Sequence, residues 1–283
     1  MKPAEFSYNR AASLADAIGS LAAFADQGRV IAGGQSLGPM LNLRLAQPKY
    51  LVDISQLDLL RHAQVEGDVL AIGACVTHAE IEDLKIPDVT RGLMAFVAHQ
   101  IAYRAVRNRG TIGGSLAHAD PAADWLTTTI ALDAALRLRG NGGERQIKVI
   151  DFIKGAMETT IRDDEVITHV LIPRLSAGAR WGHAKYAKKL GDFAQSMAVA
   201  VADPERKLAR VVLGRRAEPP SVMRGLSNLL ATKGCEPAAD ALRAAVEADL
   251  KAAAVEAGDH VMHRAIVERA VRDLMARGRS TSV

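Results

Sequence analysis

The chain has 283 residues, of which 49% are hydrophobic and 24% are charged, and its formal net charge is +4. These values are ordinary for a chain with a full hydrophobic core, so intrinsic disorder is excluded, and the length allows one to three domains. Aromatic residues make up only 4% and do not alternate with basic residues, so no nucleic-acid stacking surface and no nucleic-acid partner are expected.

The sequence also limits the compartment and the metal chemistry. No apolar run approaches the roughly 18 residues that span a bilayer, and the first residues lack the apolar region of a signal peptide. Two distant cysteines, Cys75 and Cys235, exclude a Cys-rich metal cage, an iron–sulfur site and a disulfide scaffold. We therefore expect buried thiols, no membrane span, no metal site and a cytoplasmic location.

The first third of the chain alternates between helix and strand patterns. Apolar residues recur at helical spacing over 13–26, with Ser13 as a candidate N-cap, and a short buried strand follows at 29–32. A second strand is predicted at 50–55, and residues 62–74 predict a hairpin that turns at Gly67-Asp68. Thr77 and Glu80 form a capping box for the next helix.

In the rest of the chain, helices and strands first alternate, then strands follow one another, and finally helices do. Helix is predicted at 92–103, strand or helix followed by strand at 127–140, and strand at 165–173. From about 174 the pattern indicates three antiparallel strands, and after Pro219-Pro220 it indicates Ala-rich helices, notably 235–257 and 263–278. This order predicts an α+β fold with two or three subdomains.

The first segment of chemical interest is the glycine pair Gly33-Gly34, which follows a predicted strand and precedes Ser36. A glycine pair can adopt positive φ and lets a ligand approach the backbone closely. The N–H groups of such a turn can form an anion-binding nest that suits a pyrophosphate. The segment matches neither the P-loop nor the Rossmann pattern, and a tight structural turn is the alternative.

A second glycine-rich segment, at 111–115, repeats this chemistry and precedes His118, Asp120 and Asp124. A nucleotide cofactor with two phosphates, a ribityl chain and a polar ring edge needs backbone donors followed by polar side chains. Two such segments favour a cofactor site, but composition and spacing leave it balanced against two structural turns.

Two segments resemble the FAD-binding signatures of the flavoprotein, or medium, subunit of molybdenum hydroxylases: AGGQSLGPMLNLRLAQP at 32–48 and RNRGTIGGSLAHADPAAD at 107–124. Residues 72–82 and 188–194 are similar to two further segments of this family. The family includes the medium subunits of carbon monoxide dehydrogenase and of bacterial N-heterocycle hydroxylases, and the flavin domain of xanthine dehydrogenase. The resemblance extends over nearly the whole chain.

The resemblance implies a particular α+β architecture. It has a two-subdomain FAD-binding region of the vanillyl-alcohol oxidase/PCMH type, followed by a C-terminal domain of antiparallel strands and then helices. We place the N-terminal FAD-binding α/β subdomain at 1–56, the second at 57–175 and the C-terminal domain at 176–283. Arg215 and Arg216 replace small residues usual in the family, so the C-terminal domain departs from its pattern.

The resemblance also implies the cofactors and partners. FAD is expected on this chain, and no recognisable Cys or His attachment point suggests a covalent tether. A small subunit with [2Fe-2S] clusters and a large molybdopterin subunit are the expected partners, assembled as a dimer of heterotrimers. In this family, electrons pass from the clusters to FAD and on to an external acceptor while a small substrate is hydroxylated at molybdenum. We expect an N-heteroaromatic substrate, and no catalytic residue on this chain.

The family's cofactor-binding residues carry over by position. The pyrophosphate is expected at Ala32, Gly33, Gly34, Gln35 and Ser36, with Leu37 in the same loop, and the second wall at Thr111, Gly113, Gly114 and Ser115. Asp124 and Lys185 are expected near the flavin, as are Phe193 and Ile101, and His118 is a candidate donor to a phosphate or hydroxyl.

Each side chain also has a structural alternative. His118 could cap a turn, Asp120 could brace the turn at Pro121, Lys185 could be a solvated charge and Phe193 a core residue. Arg107 and Arg109 either assist the phosphates or are exposed.

Two other functions stay open on the sequence. One is a stand-alone FAD-dependent oxidase or dehydrogenase of a small alcohol or amine. The other is a non-catalytic nucleotide-binding protein in which both glycine segments are structural turns.

Overall fold

The computed structural model describes residues 2–233 and 237–277 and arranges them around three β-sheets and a separate two-stranded hairpin. Parallel and antiparallel sheets occur together with helices, which confirms the α+β class. The three sheets lie in successive stretches of the chain. The subdomain boundaries at 56 and 175 stay predictions.

The first sheet is parallel, in the order β1-β3-β2, because helices connect its strands. Its elements are β1 (Ser7–Arg10), α1 (Leu14–Phe24), β2 (Gly28–Ile31), α2 (Leu37–Asn42) and β3 (Tyr50–Asp53). Helix α1 begins where predicted, since the Ser13 side chain accepts a hydrogen bond from the Asp16 N–H. Its buried face, which includes Ile18 and Leu21, packs with Val52 of β3 in one cluster.

The second sheet is antiparallel, in the order β4-β5-β10-β6-β7. Its strands are β4 (Ala63–Glu66), β5 (Val69–Gly73), β6 (Ala135–Gly140), β7 (Gly143–Lys148) and β10 (Val166–Pro173), with the small hairpin β8 (Ile153–Gly155) and β9 (Glu158–Thr159) between the last two. Its helices are α3 (His78–Glu82), α4 (Leu93–Gln100), α5 (Arg104–Arg107), α6 (Ile112–His118), α7 (Asp124–Ala131) and α8 (Val149–Phe152). Every residue of α7 is buried, and four of them belong to the largest hydrophobic cluster among the described residues.

The third sheet is antiparallel, in the order β11-β12-β13-β14. Its elements are β11 (Arg180–Tyr186), β12 (Ser196–Asp203), β13 (Leu208–Arg215), β14 (Ser221–Val222), α9 (Arg224–Lys233), α10 (Ala239–Ala252) and α11 (His260–Ala276). Gly182 lets α11 pack tightly, because a Cβ there would lie 1.9 Å from the Ala270 carbonyl oxygen. Gly214 likewise lets α7 approach, since a Cβ there would lie 2.3 Å from Thr127 Oγ1. The third sheet therefore packs against the helix that also lies beside the cleft described below.

Most sequence-predicted elements are present. The capping box at Thr77, the hairpin β4–β5 and the three antiparallel strands after 174 are confirmed. The ambiguous stretch 127–140 is the end of α7 followed by β6. Cys75 is a buried free thiol, whereas Cys235 lies outside the described residues. Among the described residues, no helix combines the length and apolar character that crossing a membrane requires.

Candidate functional site

The first glycine pair lies in a loop that connects β2 to α2, and its two glycines serve different purposes. Gly34 has φ +70°, a conformation that side-chain-bearing residues rarely adopt. Gly33 does not have positive φ, but a Cβ on it would lie 1.9 Å from the carbonyl oxygen of Arg109. Gly33 therefore allows this loop to touch the backbone of Arg109, two residues before the second glycine segment.

This loop leaves backbone donors without partners. The carbonyl oxygens of Gly34 and Ser36 accept bonds from the N–H groups of Gly38 and Met40, at 2.9 and 3.2 Å. In contrast, the N–H groups of Gln35, Ser36 and Leu37 have no acceptor within the described part of the chain. Because unpaired N–H groups in a turn attract anions, the loop suits a phosphate group.

The second glycine segment is helical, so its interpretation as a turn with free donors was wrong. Thr111 is the N-cap of α6, and its Oγ1 accepts from the Gly114 N–H at 3.1 Å. The Gly113 N–H donates to the Ala74 carbonyl at 2.9 Å. A Cβ on Gly113 would lie 2.4 Å from the Ala74 Cβ. The glycine is thus needed for close packing of α6 against the end of β5.

Both glycine segments line one cleft, with a volume of about 730 Å³. This size lies within the range of small-molecule and cofactor sites. The sequence-predicted residues on its wall are Ala32, Gly33, Gly34, Gln35, Ser36, Leu37, Ile101, Thr111, Gly113, Gly114, Ser115, His118, Asp124 and Phe193. Lys185 is the predicted site residue that does not line the cleft. Residues that are more than 150 positions apart in sequence, such as Ala32 and Phe193, therefore share one concave surface.

Lys185 instead lies behind Asp124. Its Nζ donates to both carboxylate oxygens of Asp124, at 2.9 and 3.1 Å, and to the carbonyl of Gln100 at 3.3 Å. The two side chains are only 9% and 6% exposed, so Lys185 is not a solvated charge. Burial raises the pKa of Asp124, and the ammonium group of Lys185 opposes this effect.

The loop between β11 and β12, residues 187–195, also borders the cleft and packs on residues 101–102. Gly191 has φ +84°, and a Cβ on it would lie 2.8 Å from the carbonyl oxygen of Ala102. Phe193 is 62% exposed and lines the cleft, so it is not a core residue of the described chain. Leu190 and Tyr103, the sequence neighbours of Gly191 and Ala102, are 80% and 67% exposed. Three large apolar or aromatic side chains near this contact are therefore exposed.

Arg107 is neither exposed nor on the cleft wall, so both sequence interpretations of it were wrong. It is 8% exposed, and its Nε donates to Glu82 at 2.7 Å. One terminal nitrogen donates to the carbonyls of Ile101 and Ala102, each at 2.8 Å. Burial would raise the pKa of Glu82, but the bonds from Arg107 and His99 outweigh it and lower that pKa. Arg107 thus fixes the backbone of the rim; the side chain of Arg109 is exposed.

Sequence reasoning missed His78, which lines the cleft from the first residue of α3. Its Nδ1 accepts a hydrogen bond from Trp125 Nε1 at 3.0 Å. Burial, assisted by the charge of Arg107, lowers the pKa of His78 to about 4. No local pattern indicates this partnership, because the two residues are 47 positions apart.

Two smaller expectations are also resolved. Asp120 braces its turn, since its carboxylate accepts from the Ala122 N–H at 2.9 Å. Burial raises the pKa of the Cys75 thiol to about 12, so this thiol is neutral and unreactive. Within residues 2–233 and 237–277, no three His, Cys, Asp or Glu side chains gather as a metal-binding group.

Comparison with protein families and solved structures gives consistent matches. Residues 4–175 match the family model described as the FAD binding domain in molybdopterin dehydrogenase. Caffeine dehydrogenase subunit beta of Pseudomonas sp. is 34% identical over 224 residues, which cover 78% of this chain and 76% of that protein.

Two solved structures match over nearly their full length. Carbon monoxide dehydrogenase from Hydrogenophaga pseudoflava matches with a TM-score of 0.89 and 30% identity, covering 98% of this chain and 99% of the matched chain. Quinoline 2-oxidoreductase from Pseudomonas putida 86 matches with a TM-score of 0.87 and 31% identity, covering 98% and 99%. The matches include the C-terminal sheet and helices, which lie outside the family model.

Proposed function

The chain belongs to the family of FAD-binding domains in molybdopterin dehydrogenases, and from this premise we propose that it relays electrons. As the medium subunit type of a multi-subunit molybdenum hydroxylase, it is an FAD-binding component of an oxidoreductase. In the proposal, FAD in the cleft receives electrons from [2Fe-2S] clusters of a small subunit and passes them to an external acceptor. A large molybdopterin subunit completes the complex, which we propose to be a dimer of heterotrimers in the cytoplasm.

The single observation that carries the proposal is one cleft whose wall combines free backbone N–H groups with a buried ion pair. The unpaired N–H groups of Gln35, Ser36 and Leu37 suit the pyrophosphate of FAD. The buried pair of Asp124 and Lys185 offers a polar contact for the flavin end. When bound, FAD supplies the redox chemistry, and the chain's own residues bind and orient it.

The second glycine segment shapes the cleft wall, and the N–H groups of residues 112–115 are not free to bind a phosphate. Because Gly113 packs on Ala74 and Gly33 packs on Arg109, the two segments are fixed relative to each other. A fixed wall keeps a bound cofactor in one orientation, and electron transfer to a partner requires a constant position of the ring. Ile101 and Phe193 supply apolar surface at the ring end.

Three exposed apolar or aromatic side chains near the cleft support an interface with the iron–sulfur partner. Leu190, Phe193 and Tyr103 are all more than 60% exposed, and Phe193 also lines the cleft. Permanent interfaces bury roughly 2,000 Å² or more and are apolar at their centre. A partner that covers these side chains would bring its clusters close to the flavin.

An N-heteroaromatic substrate remains our proposal for the whole complex. It is supported by the names of two similar proteins, a caffeine dehydrogenase subunit and quinoline 2-oxidoreductase, whose named compounds are N-heteroaromatic. Because carbon monoxide dehydrogenase matches as well, the fold of this subunit does not select the substrate.

The relay is tested by purifying the complex through a tag on this chain from its native cells. We expect molybdenum and [2Fe-2S] electron paramagnetic resonance signals to co-purify with FAD. Substoichiometric dithionite should reduce clusters and flavin, and a dye acceptor should then be reduced. A complex with Gly34→Val should keep reducible clusters and lose most dye reduction. A chain that purifies alone and oxidises an alcohol or amine would contradict the relay and favour a stand-alone oxidase.

A further inference from the structure

His78 is held by the protein core on one side and faces the cleft on the other. Its backbone N–H donates to the Gly110 carbonyl at 2.9 Å, which fixes the start of α3 beside the second glycine segment. The residue is only 6% exposed, yet it contributes to the cleft wall. It belongs to neither glycine segment.

The bond from Trp125 determines which ring nitrogen of His78 carries the proton. An indole N–H can only donate, so Nδ1 of His78 must accept the 3.0 Å bond. The proton of the neutral imidazole is therefore on Nε2. Trp125 is fully buried, so this orientation of the ring is fixed by the core.

The ring is neutral over the physiological pH range. Burial lowers the pKa of His78 to about 4, and the positive charge of Arg107 acts in the same direction. His78 therefore offers a neutral N–H donor rather than a cation.

This donor has no partner in the described protein. Among the described residues, no acceptor bonds to Nε2. The atom is also not fully buried, so a ligand in the cleft can reach it. A Cβ on Gly110 would lie 2.8 Å from Nε2, so a larger residue at position 110 would crowd this nitrogen. A donor that opens to a cleft without a protein partner gains a hydrogen bond when a ligand supplies an acceptor.

We propose that Nε2–H of His78 donates a hydrogen bond to an oxygen atom of FAD bound in the cleft. The inference rests on the proposed FAD site. FAD carries phosphate, hydroxyl and ring carbonyl oxygens, each of which accepts from a neutral N–H. His78 thus adds a directional contact from the cleft wall, whereas the first N–H groups of α6 are already bonded within the protein.

The first test is FAD titration of the deflavinated full chain. His78→Leu should weaken FAD binding about tenfold, and His78→Gln, which keeps an N–H donor, should stay within about threefold of wild type. His62→Leu is the matched control, because His62 is exposed and does not line the cleft, and this variant should bind FAD like wild type. Wild-type affinity of His78→Leu, or an equal loss in His62→Leu, would overturn the inference.

The second test does not depend on a variant that folds. Nitrogen-15 NMR of the histidines should show the Nε2–H tautomer of His78, with a proton that exchanges more slowly after FAD is added. Equal exchange with and without FAD would overturn the proposal. Unchanged FAD binding by Gly34→Val would instead contradict the FAD site itself, so the two failures are distinguishable.

Discussion

Lys185 of β11 and Asp124 of α7 form a buried ion pair across the junction between the third sheet and the cleft, with Nζ 2.9 Å from one carboxylate oxygen. The bond from Nζ to the Gln100 carbonyl adds the end of α4 to this junction. Asp124 faces the cleft, whereas Lys185 lies behind it. The pair therefore connects the position of a cleft carboxylate to the packing of the C-terminal part of the chain.

Removing one partner of this pair should destabilise the chain strongly. Lys185→Met leaves the Asp124 carboxylate buried without its cation, which costs about 3–5 kcal/mol of unfolding free energy. Lys188→Met, at an exposed position in the next loop, should change it by less than about 0.5 kcal/mol. Urea unfolding measures both. The double variant Lys185→Met/Asp124→Asn should lose less than the two single variants together, and additive losses would argue against the pair.

Arg107 should matter far more than its neighbour Arg104. Arg107→Met leaves two rim carbonyls without their donor and removes the buried partner of Glu82, which keeps only its bonds to Arg104 and His99, so we expect a loss of about 3–5 kcal/mol. Arg104 bonds to Glu82 and Asp83 but is 46% exposed, so solvent screens its charge and Arg104→Ala should cost much less than Arg107→Met. Equal losses in urea unfolding would show that burial of Arg107 does not determine its contribution.

The stability of the chain should fall below neutral pH because of two buried histidines. Burial lowers the pKa of both His78 and His183 to about 4. In the unfolded chain they take up protons near pH 6.5, whereas the folded chain resists protonation until about pH 4. Their stabilisation is therefore complete above the unfolded pKa and is lost as pH falls through this window.

Each of these two histidines contributes a slope of up to about 1.4 kcal/mol per pH unit. His78→Gln should flatten the pH dependence of the unfolding free energy by about one proton. An unaltered slope in His78→Gln would mean that His78 is protonated in the folded chain.

FAD should be released completely when the chain is precipitated with acid. The histidines on the cleft wall are His78 and His118, and His78 is already bonded to Trp125; Cys75 does not line the cleft. The measurement is the flavin absorbance of the supernatant against that of the washed pellet. Flavin that stays with the pellet would indicate a covalent bond.

Local sequence rules predicted much of the fold. The helix capped by Ser13 and the capping box of Thr77 depend on hydrogen bonds within four residues, so their patterns were sufficient. The small hairpin β8–β9 was missed because its strands are only three and two residues long. Helix α6 was taken for a turn because adjacent glycines disfavour helix; contacts of Gly113 with Ala74 override that preference.

In the site, too, residues close together in sequence were predicted and contacts between distant positions were not. The family resemblance indicated most of the cleft residues because they lie in two continuous segments, 32–48 and 107–124. The pairs Arg107–Glu82 and His78–Trp125 join positions 25 and 47 residues apart, so no local pattern could indicate them. Burial determined the role of Arg107, and burial at a given position depends on the whole fold.

The most direct test of the account is titration of FAD into the deflavinated chain and into two glycine variants. Gly34→Val forces a β-branched residue to φ +70° in the loop with the unpaired N–H groups, so it should abolish measurable FAD binding. Gly38→Ala, one turn later in α2, meets nothing within 4 Å and should bind FAD like wild type. Circular dichroism establishes that both variants fold. A folded Gly34→Val chain with wild-type FAD affinity would contradict the placement of FAD in this cleft.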